Sequence, residues 1–555
     1  MTRARPPSNT RRLGSVLVVL ATLGLSMTAC SDTGSDDSAG SARDDATGDR
    51  AGEREPRDEP PGDPAPTIDR ADVDAGIDKV PGEVRKVLEA SGVPGAAVAI
   101  VYDDEVVFAE GFGVRSLDTG DPVDTETVFQ IASLSKPISA TVVSELVAEG
   151  KLGWDDPVID YTPDFALGDP AVTQWVSPAD LFSHRSGLPD HAGDLLEDLG
   201  YDRGYVLSRL AMEPLGEFRN DYAYTNYGLT AGAVAAATAA GGQWETVAEE
   251  TLFEPAGMDH STYSFTEFMS KDNRAEPHVR NSEGEWVVGA QRMPQAQSPA
   301  GGVSSNIEDL AKFVRIQLAD GRLGDRTIVA KTPDSVGALE AMRTPRSLSS
   351  PPRSPSANSG FYGYGLNVDT RDDGFVSLSH SGAFAMGAAT AVLMIPGQDL
   401  GVVTITNGQP VGAPEAINQI VADLVIDGEV TKDWYGLYNG VMEQLYVPTT
   451  PTDWTAEVAD PSAQRAGSAY VGTYTNDYYG PMEVREGPDG LEMTLGPESM
   501  AFPLTAYDGD SFLFTPPGEN STGPTGITFA VEGDVATSAN SEFYDETGLG
   551  TWQRA

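Results

Sequence analysis

Two strongly apolar strand pairs stand at opposite ends of one long segment, and that spacing constrains the fold more than any other feature. "GAAVAIVYDDEVVFAEGFGVR" (95–115) reads as a hairpin, two apolar runs around "DDE". "GAATAVLMIPGQDLGVVTITN" (387–407) reads as two more strands joined by a "PGQD" turn. Between them the helical patterns dominate. "ISATVVSELVAEG" (138–150) stops at Gly150, and "SNIEDLAKFVRIQLADG" (305–321) starts at an Asn306 cap and ends at a glycine. Further helical patterns flank the strand pairs at 76–92 and 414–426. The expectation is an α/β (α+β) fold: an antiparallel sheet built from both ends, flanked by helices, with a helical insertion between.

The remaining segments differ in texture. Residues 465–555 carry "YVGTYTN", "GPMEVREG", "LEMTLG", "FPLTAY", "SFLFTPP" and "GITFAVEG", short alternating strands between turns that predict a small all-β, barrel-like domain. A linker is expected at 429–464. Residues 30–76, rich in Asp, Ser, Gly, Pro and Glu, cannot bury enough apolar surface to offset chain entropy and read as a disordered tether. Ahead of it, Arg3, Arg5, Arg11 and Arg12 precede the apolar run "LGSVLVVLATLGL", too short to span a bilayer, and then "MTAC" ending at Cys30. Residues 1–29 resemble a bacterial lipoprotein signal with Cys30 as the lipidated residue, although Met27 stands where leucine is more usual. The alternative is an ordinary cleaved signal. Either way the protein is expected outside the cytoplasm, on the membrane's outer face or secreted. Cys30 is the only cysteine, so no intramolecular disulfide forms. A net charge of −48 repels nucleic acid and anionic lipid surfaces.

The chemistry centres on "IASLSKPISA" (131–140), which holds one of only eight lysines in 555 residues. Pro137 lacks an N–H and is tolerated only in a helix's first turn, so the helix is expected to start near 133 or 134. Ser133 then sits at the positive helix end, with Lys136 on the same face three residues on. A serine hydroxyl needs a base, and a lysine serves once burial lowers its pKa towards neutrality. The parts for a Ser–Lys acyl-transfer site are present. "DYAYTNYGL" (221–229) adds Tyr224 and Asn226, a proton-relaying hydroxyl and a substrate-orienting amide. "LSHSGAFAMG" (378–387) adds His380, Ser381 and Gly382, where glycine permits close backbone approach. His184 and Arg185 are read as loop-shaping. His191, His260 and His278 lack metal-ligand spacing, so neither a metal nor a cofactor is expected.

The order Ser-x-x-Lys, Tyr-x-Asn, His-x-Gly resembles that of class C serine β-lactamases and the related D-Ala-D-Ala carboxypeptidases, D-aminopeptidases and esterases. "FQIASLSK", "LFSHRSGLP", "YTNYGLTAGAV", "PAGGVSSNIEDLAKF" and "YGYGLNV" support it, over about residues 80–428. The resemblance implies a β-lactamase/transpeptidase-like catalytic domain (77–428) with Ser133 as nucleophile and Lys136 and Tyr224 sharing base and acid roles. Asn226, His380, Ser381, Gly382 and Ala383 would bind substrate, and the N–H groups of Ser133 and Ala383 would form the oxyanion hole. His380 stands where class C enzymes carry lysine. The C-terminal end resembles the lipocalin-like β domain appended to such hydrolases. The implied function is an exported serine hydrolase acting through an acyl-enzyme on a small-molecule, peptide or peptidoglycan-derived substrate. The alternative is a penicillin-binding sensor lipoprotein that acylates without turnover.

Overall fold

The computed structural model describes residues 66–488 and 490–555. The signal-like segment, Cys30 and the tether up to residue 65 lie outside them. A helix stands within the segment expected to be a disordered tether. Arg70–Ile77 is a helix (α1) closed by a reciprocal cap, in which Asp69 accepts from the Ala71 and Asp72 N–H groups and Asp72 accepts from the Asp69 N–H. The disordered reading of 70–76 therefore fails, because a cap and the buried Val73 outweigh the polar composition. Next come α2 (Val80–Ser91), which ends at the left-handed Gly92, and the hairpin β1 (Gly95–Tyr102) and β2 (Glu105–Gly113).

The helical insertion includes α3 (Ser135–Ala148), α4 (Asn226–Ala240) and α5 (Ile307–Leu318). Strands β3 (Ser347–Ser350), β4 (Gly360–Tyr362), β5 (Asn367–Thr370), β6 (Val376–Phe384), β7 (Ala388–Ile395) and β8 (Leu400–Thr406) then complete an antiparallel sheet of order β2-β1-β8-β7-β6-β5-β4-β3. The two outer strand pairs thus meet where β1 pairs with β8, Ala96 opposite Thr406 through Tyr102 opposite Leu400. Side chains of β1 alternate between two cores. Ala97, Ala99 and Val101 pack with Ile138 of α3 and Phe313 of α5. Val98 and Ile100 face Val73, Val84 and the helix α6 (Ala413–Ile426) through Ile417 and Val421.

The segment 429–464, expected as linker, contains the helix α7 (Trp434–Met442). Its Trp434, Tyr438 and Met442 recur every four residues and are all buried, which gives it an apolar face. The C-terminal region is a closed eight-stranded barrel: β9 (Gly472–Thr475), β10 (Met482–Gly487), β11 (Gly490–Leu495), β12 (Met500–Asp508), β13 (Ser511–Phe514), β14 (Thr525–Glu532), β15 (Val535–Ser541) and β16 (Thr551–Arg554). The barrel is fused to the insertion. Tyr478, Tyr479 and Trp552 share one core with Leu196, Leu199 and Tyr227. The Tyr201 and Tyr205 hydroxyls donate to the carbonyls of Tyr479 and Tyr478 at 2.8 and 3.1 Å. The aromatics of 473–482 therefore serve the interface as well as the barrel interior.

Candidate active site

Ser133 lies in a single 3-10 turn (Ala132–Leu134) that runs directly into α3. The α-helix begins at Ser135, one or two residues later than expected, and Pro137 occupies its first turn. Ala132 is held at φ 47°, a strained conformation for a residue with a Cβ, and so presents the next side chain outward. Between Thr127 and Ser144, Ser133 is the one residue that is not buried. Strand β6 passes close to this turn because residue 382 is glycine. A Cβ there would stand 2.2 Å from the Ile131 carbonyl oxygen and 3.0 Å from the Leu134 nitrogen. Pairing of β6 with β5 ends at Ser379, so residues 380–384 present an edge that β5 does not cover.

Lys136 is fully buried behind Ser133. Its Nζ lies 2.9 Å from Ser133 Oγ, 2.7 Å from Asn226 Oδ1 and 2.9 Å from the Ala300 carbonyl oxygen. The Asn226 amide is oriented unambiguously, because its Nδ2 donates to Asp194 Oδ2 at 2.7 Å and a carboxylate only accepts. Burial lowers the Lys136 pKa to about 7, against a smaller upward pull from Asp194. Tyr224 lies with its ring centroid 4.6 Å from Lys136 Nζ. Burial raises its pKa far above the ordinary phenol value, so it stays protonated. Loop 190–194 cradles the Tyr-x-Asn segment. Asp190 Oδ1 accepts from the Tyr224 N–H at 2.6 Å, and the His191 N–H donates to the Tyr224 carbonyl at 2.8 Å.

Ser133, Tyr224, Asn226, Ser381 and Ala383 line one cleft. His380 does not line it. Its Nδ1 lies 2.6 Å from the Ser381 carbonyl, which only accepts, so Nδ1 carries the proton and Nε2 accepts from Tyr362 Oη at 2.8 Å. Burial, reinforced by the charge of Lys136, lowers its pKa to about 3, so the ring is neutral. The substrate-contacting place expected for His380 is thus corrected. Its side chain shares the inward face of β6 with Gly382 and is taken up by Tyr362, while Tyr224 stands 6.4 Å away, centroid to centroid. His184 accepts the Thr225 N–H at Nδ1 (3.1 Å) and packs 4.5 Å from the Tyr224 ring, while Arg185 pairs with Asp180. Both shape the loop, as expected.

Several lining residues escaped sequence reasoning. His191 Nδ1 sits 2.8 Å from Asp194 Oδ2, so the imidazole, the carboxylate, Asn226 and Lys136 form one buried chain. Buried Arg292 faces Glu197 at 3.2 Å, Asp198 at 3.5 Å and Glu519 at 4.0 Å, and its guanidinium lies 4.9 Å from the centre of the Phe384 ring. Burial pushes Glu197 and Glu519 up to about 7 against the opposing pull of Arg292. Glu519 and Asn520 belong to the loop between β13 and β14, so the barrel supplies part of the cleft wall. Glu519 accepts the Ala385 and Met386 N–H groups at 2.5 and 3.4 Å, which pins the turn after β6. Arg292 and Glu519 fall in no short motif, since their partners are remote in sequence.

Known proteins match both regions of the chain. The family model described as Beta-lactamase matches residues 81–425, and a domain of unknown function, DUF3471, matches 456–548. An "Unguisins hydrolase ungD" of Aspergillus violaceofuscus is 25% identical over 77% of this chain and 79% of its own. A "Penicillin-binding protein 4" of Amycolatopsis lactamdurans is 29% identical over 57% and 81%. Among solved structures, the octameric penicillin-binding protein homologue from Pyrococcus abyssi matches with TM-score 0.56 at 20% identity, over 84% of this chain and 98% of that one. A class C beta-lactamase mutant matches with TM-score 0.52 at 19% identity, over 64% and 98%. With a Ser–Lys–Tyr cluster seated at the edge of a sheet made from both chain ends, and a family model matching well over half of its length, the chain belongs to the beta-lactamase family of serine hydrolase relatives.

Proposed function

We propose that the protein hydrolyses peptide, amide or ester bonds through an acyl-enzyme on Ser133. The carrying observation is the hydrogen-bond geometry of Lys136. Two of its positions are occupied by obligate acceptors, Asn226 Oδ1 and the Ala300 carbonyl, so a neutral amine spends both N–H groups there. Its lone pair then points at Ser133 Oγ, 2.9 Å away. With a pKa of about 7, a large fraction is neutral at physiological pH. Ser133 Oγ attacks the scissile carbonyl carbon as its proton passes to Lys136 Nζ. The N–H groups of Ser133 and Ala383 stabilise the oxyanion. The protonated Tyr224 hydroxyl donates to the departing amine or alkoxide and regains a proton from Lys136. Water then attacks the acyl carbon and regenerates Ser133. Tyr224 thus acts as donor and Lys136 as base, dividing roles that the sequence left shared. Arg292, among the described residues the one lysine or arginine lining the cleft, is shared by Glu197, Asp198 and Glu519, which favours neutral acyl groups over β-lactam acids.

Intact mass measured while p-nitrophenyl acetate turns over tests this. The expected result is a transient +42 Da adduct in wild type and neither adduct nor turnover in Ser133→Ala. A stable adduct without turnover would instead identify an acylating sensor. Turnover within a few-fold of wild type in Ser133→Ala would refute the assignment.

A further inference from the structure

A second cavity adjoins the catalytic cleft, and His191, Asp194 and Asn520 line both. It is bounded by residues 190–195 of the insertion, by Leu445, Val447 and Thr449, and by the barrel. Its polar wall is acidic. Asp190, Asp194, Glu213 and Glu546 line it, and among the described residues no lysine or arginine does. Its apolar wall is largely aromatic: Tyr478, Tyr479 and Phe543, with Leu195, Leu445 and Val447. The one basic group, His191, lies 2.8 Å from Asp194, while Asp190 accepts the Tyr224 N–H and Glu213 the Tyr478 hydroxyl, so the wall holds four carboxylates to one imidazole. An independent observation points to an absent ligand. The Asp194 side chain is 5% exposed, and its Oδ1 has no hydrogen-bond partner. A buried carboxylate oxygen left unpaired is costly, and a bound cation removes the cost. Carboxylates backed by aromatic faces and aliphatic side chains are complementary to an ammonium group on an aliphatic stem.

We propose that this cavity is a subsite for a substrate ammonium group carried on an aliphatic chain remote from the scissile carbonyl. The proposal rests on the hydrolase reading and narrows it to amine-bearing substrates. Asp194 links the two sites, touching Asn226 on one side and the cavity on the other. The barrel and residues 445–449 are specificity elements in this account, because without them the cavity has no outer wall.

Inhibition of p-nitrophenyl acetate hydrolysis by hexyltrimethylammonium, 1-hexanol and hexanoate tests the subsite. The cation is expected to inhibit at least tenfold more strongly than either of the others. Glu213→Gln is expected to weaken that inhibition about tenfold while leaving kcat/KM for p-nitrophenyl acetate within twofold. Glu213 is one of 84 acidic residues, so a local loss of this size is not an effect of overall charge. Equal inhibition by hexanol or hexanoate, or an unchanged constant in Glu213→Gln, would overturn the proposal. If Glu213→Gln fails to fold, Glu546→Gln, which removes a carboxylate from the same wall, takes its place under the same criteria. Should wild type not hydrolyse p-nitrophenyl acetate, the hydrolase reading fails by itself. Calorimetric titration with hexyltrimethylammonium then decides the subsite: binding upholds it and no binding refutes it.

Discussion

The charge of Asp194 is expected to shift the pH at which Lys136 gives up its proton. Asp194 Oδ2 and Lys136 Nζ are separated by one amide, with 2.7 Å on either side of Asn226. That places carboxylate and ammonium roughly 7 Å apart, which at an effective dielectric of about 20 is worth about 2 kcal/mol. The attraction favours the ammonium and so raises the Lys136 pKa, opposing the larger effect of burial. Asp194→Asn keeps an acceptor for Asn226 Nδ2 but removes the charge, and the Lys136 pKa falls. Because His191 already offsets part of the charge, the expected shift of the acid limb is about one pH unit rather than the full amount. In wild type, kcat/KM for p-nitrophenyl acetate should rise through pH 7, with about a tenth of the plateau reached at pH 6. In Asp194→Asn the rise should centre near pH 6, with a lower plateau because the base is weaker. Rate profiles from pH 5 to 9 decide the matter. A limb that stays in place or moves upward refutes the electrostatic link between Asp194 and Lys136.

Burial lowers Lys136 from 10.5 to about 7, so between those values the unfolded chain holds a proton that the folded chain has released. Stability relative to Lys136→Met should therefore rise with pH across that window by about 1.4 kcal/mol per unit, and a difference flat with pH in urea titrations would refute the lowered pKa. Arg292→Met leaves Glu197, Asp198 and Glu519 without their shared cation, and a loss of about 3–5 kcal/mol is expected in chemical unfolding. An unchanged unfolding midpoint would mean that the cluster is not held by charge. Tyr362→Phe strips His380 Nε2 of its donor and should lower the melting temperature, while the preference for neutral over carboxylate-bearing esters stays the same. A changed preference would return His380 to the substrate site. If Cys30 is the lipid anchor, Cys30→Ser should release active enzyme from the membrane fraction, and activity that remains membrane-bound would indicate another anchor.

The sequence by itself determined the features that depend on local pattern. Apolar alternation marked β1, β2, β7 and β8, and end signals marked α3, α5 and α6. The three spaced motifs brought Ser133, Lys136, Tyr224 and Asn226 to one place. Strand β6 was harder to read, because Ser379, His380, Ser381 and Gly382 break its apolar run where the strand serves the site. β15, with the sequence VATSANS, lacks the large side chains that announce a strand and is secured by pairing with β14 and β16. Helices α1 and α7 were hidden in polar surroundings and are held by one cap and a few buried side chains. What only the tertiary structure decided is charge and access. The Lys136 pKa is lowered to about 7 because the surrounding segments bury it away from water. His380 loses its ligand role because Tyr362 captures its ring nitrogen. Glu519 reaches the cleft from the barrel, more than a hundred residues beyond β6. Desolvation and long-range pairing depend on which surfaces meet in space, and no short window of sequence encodes that.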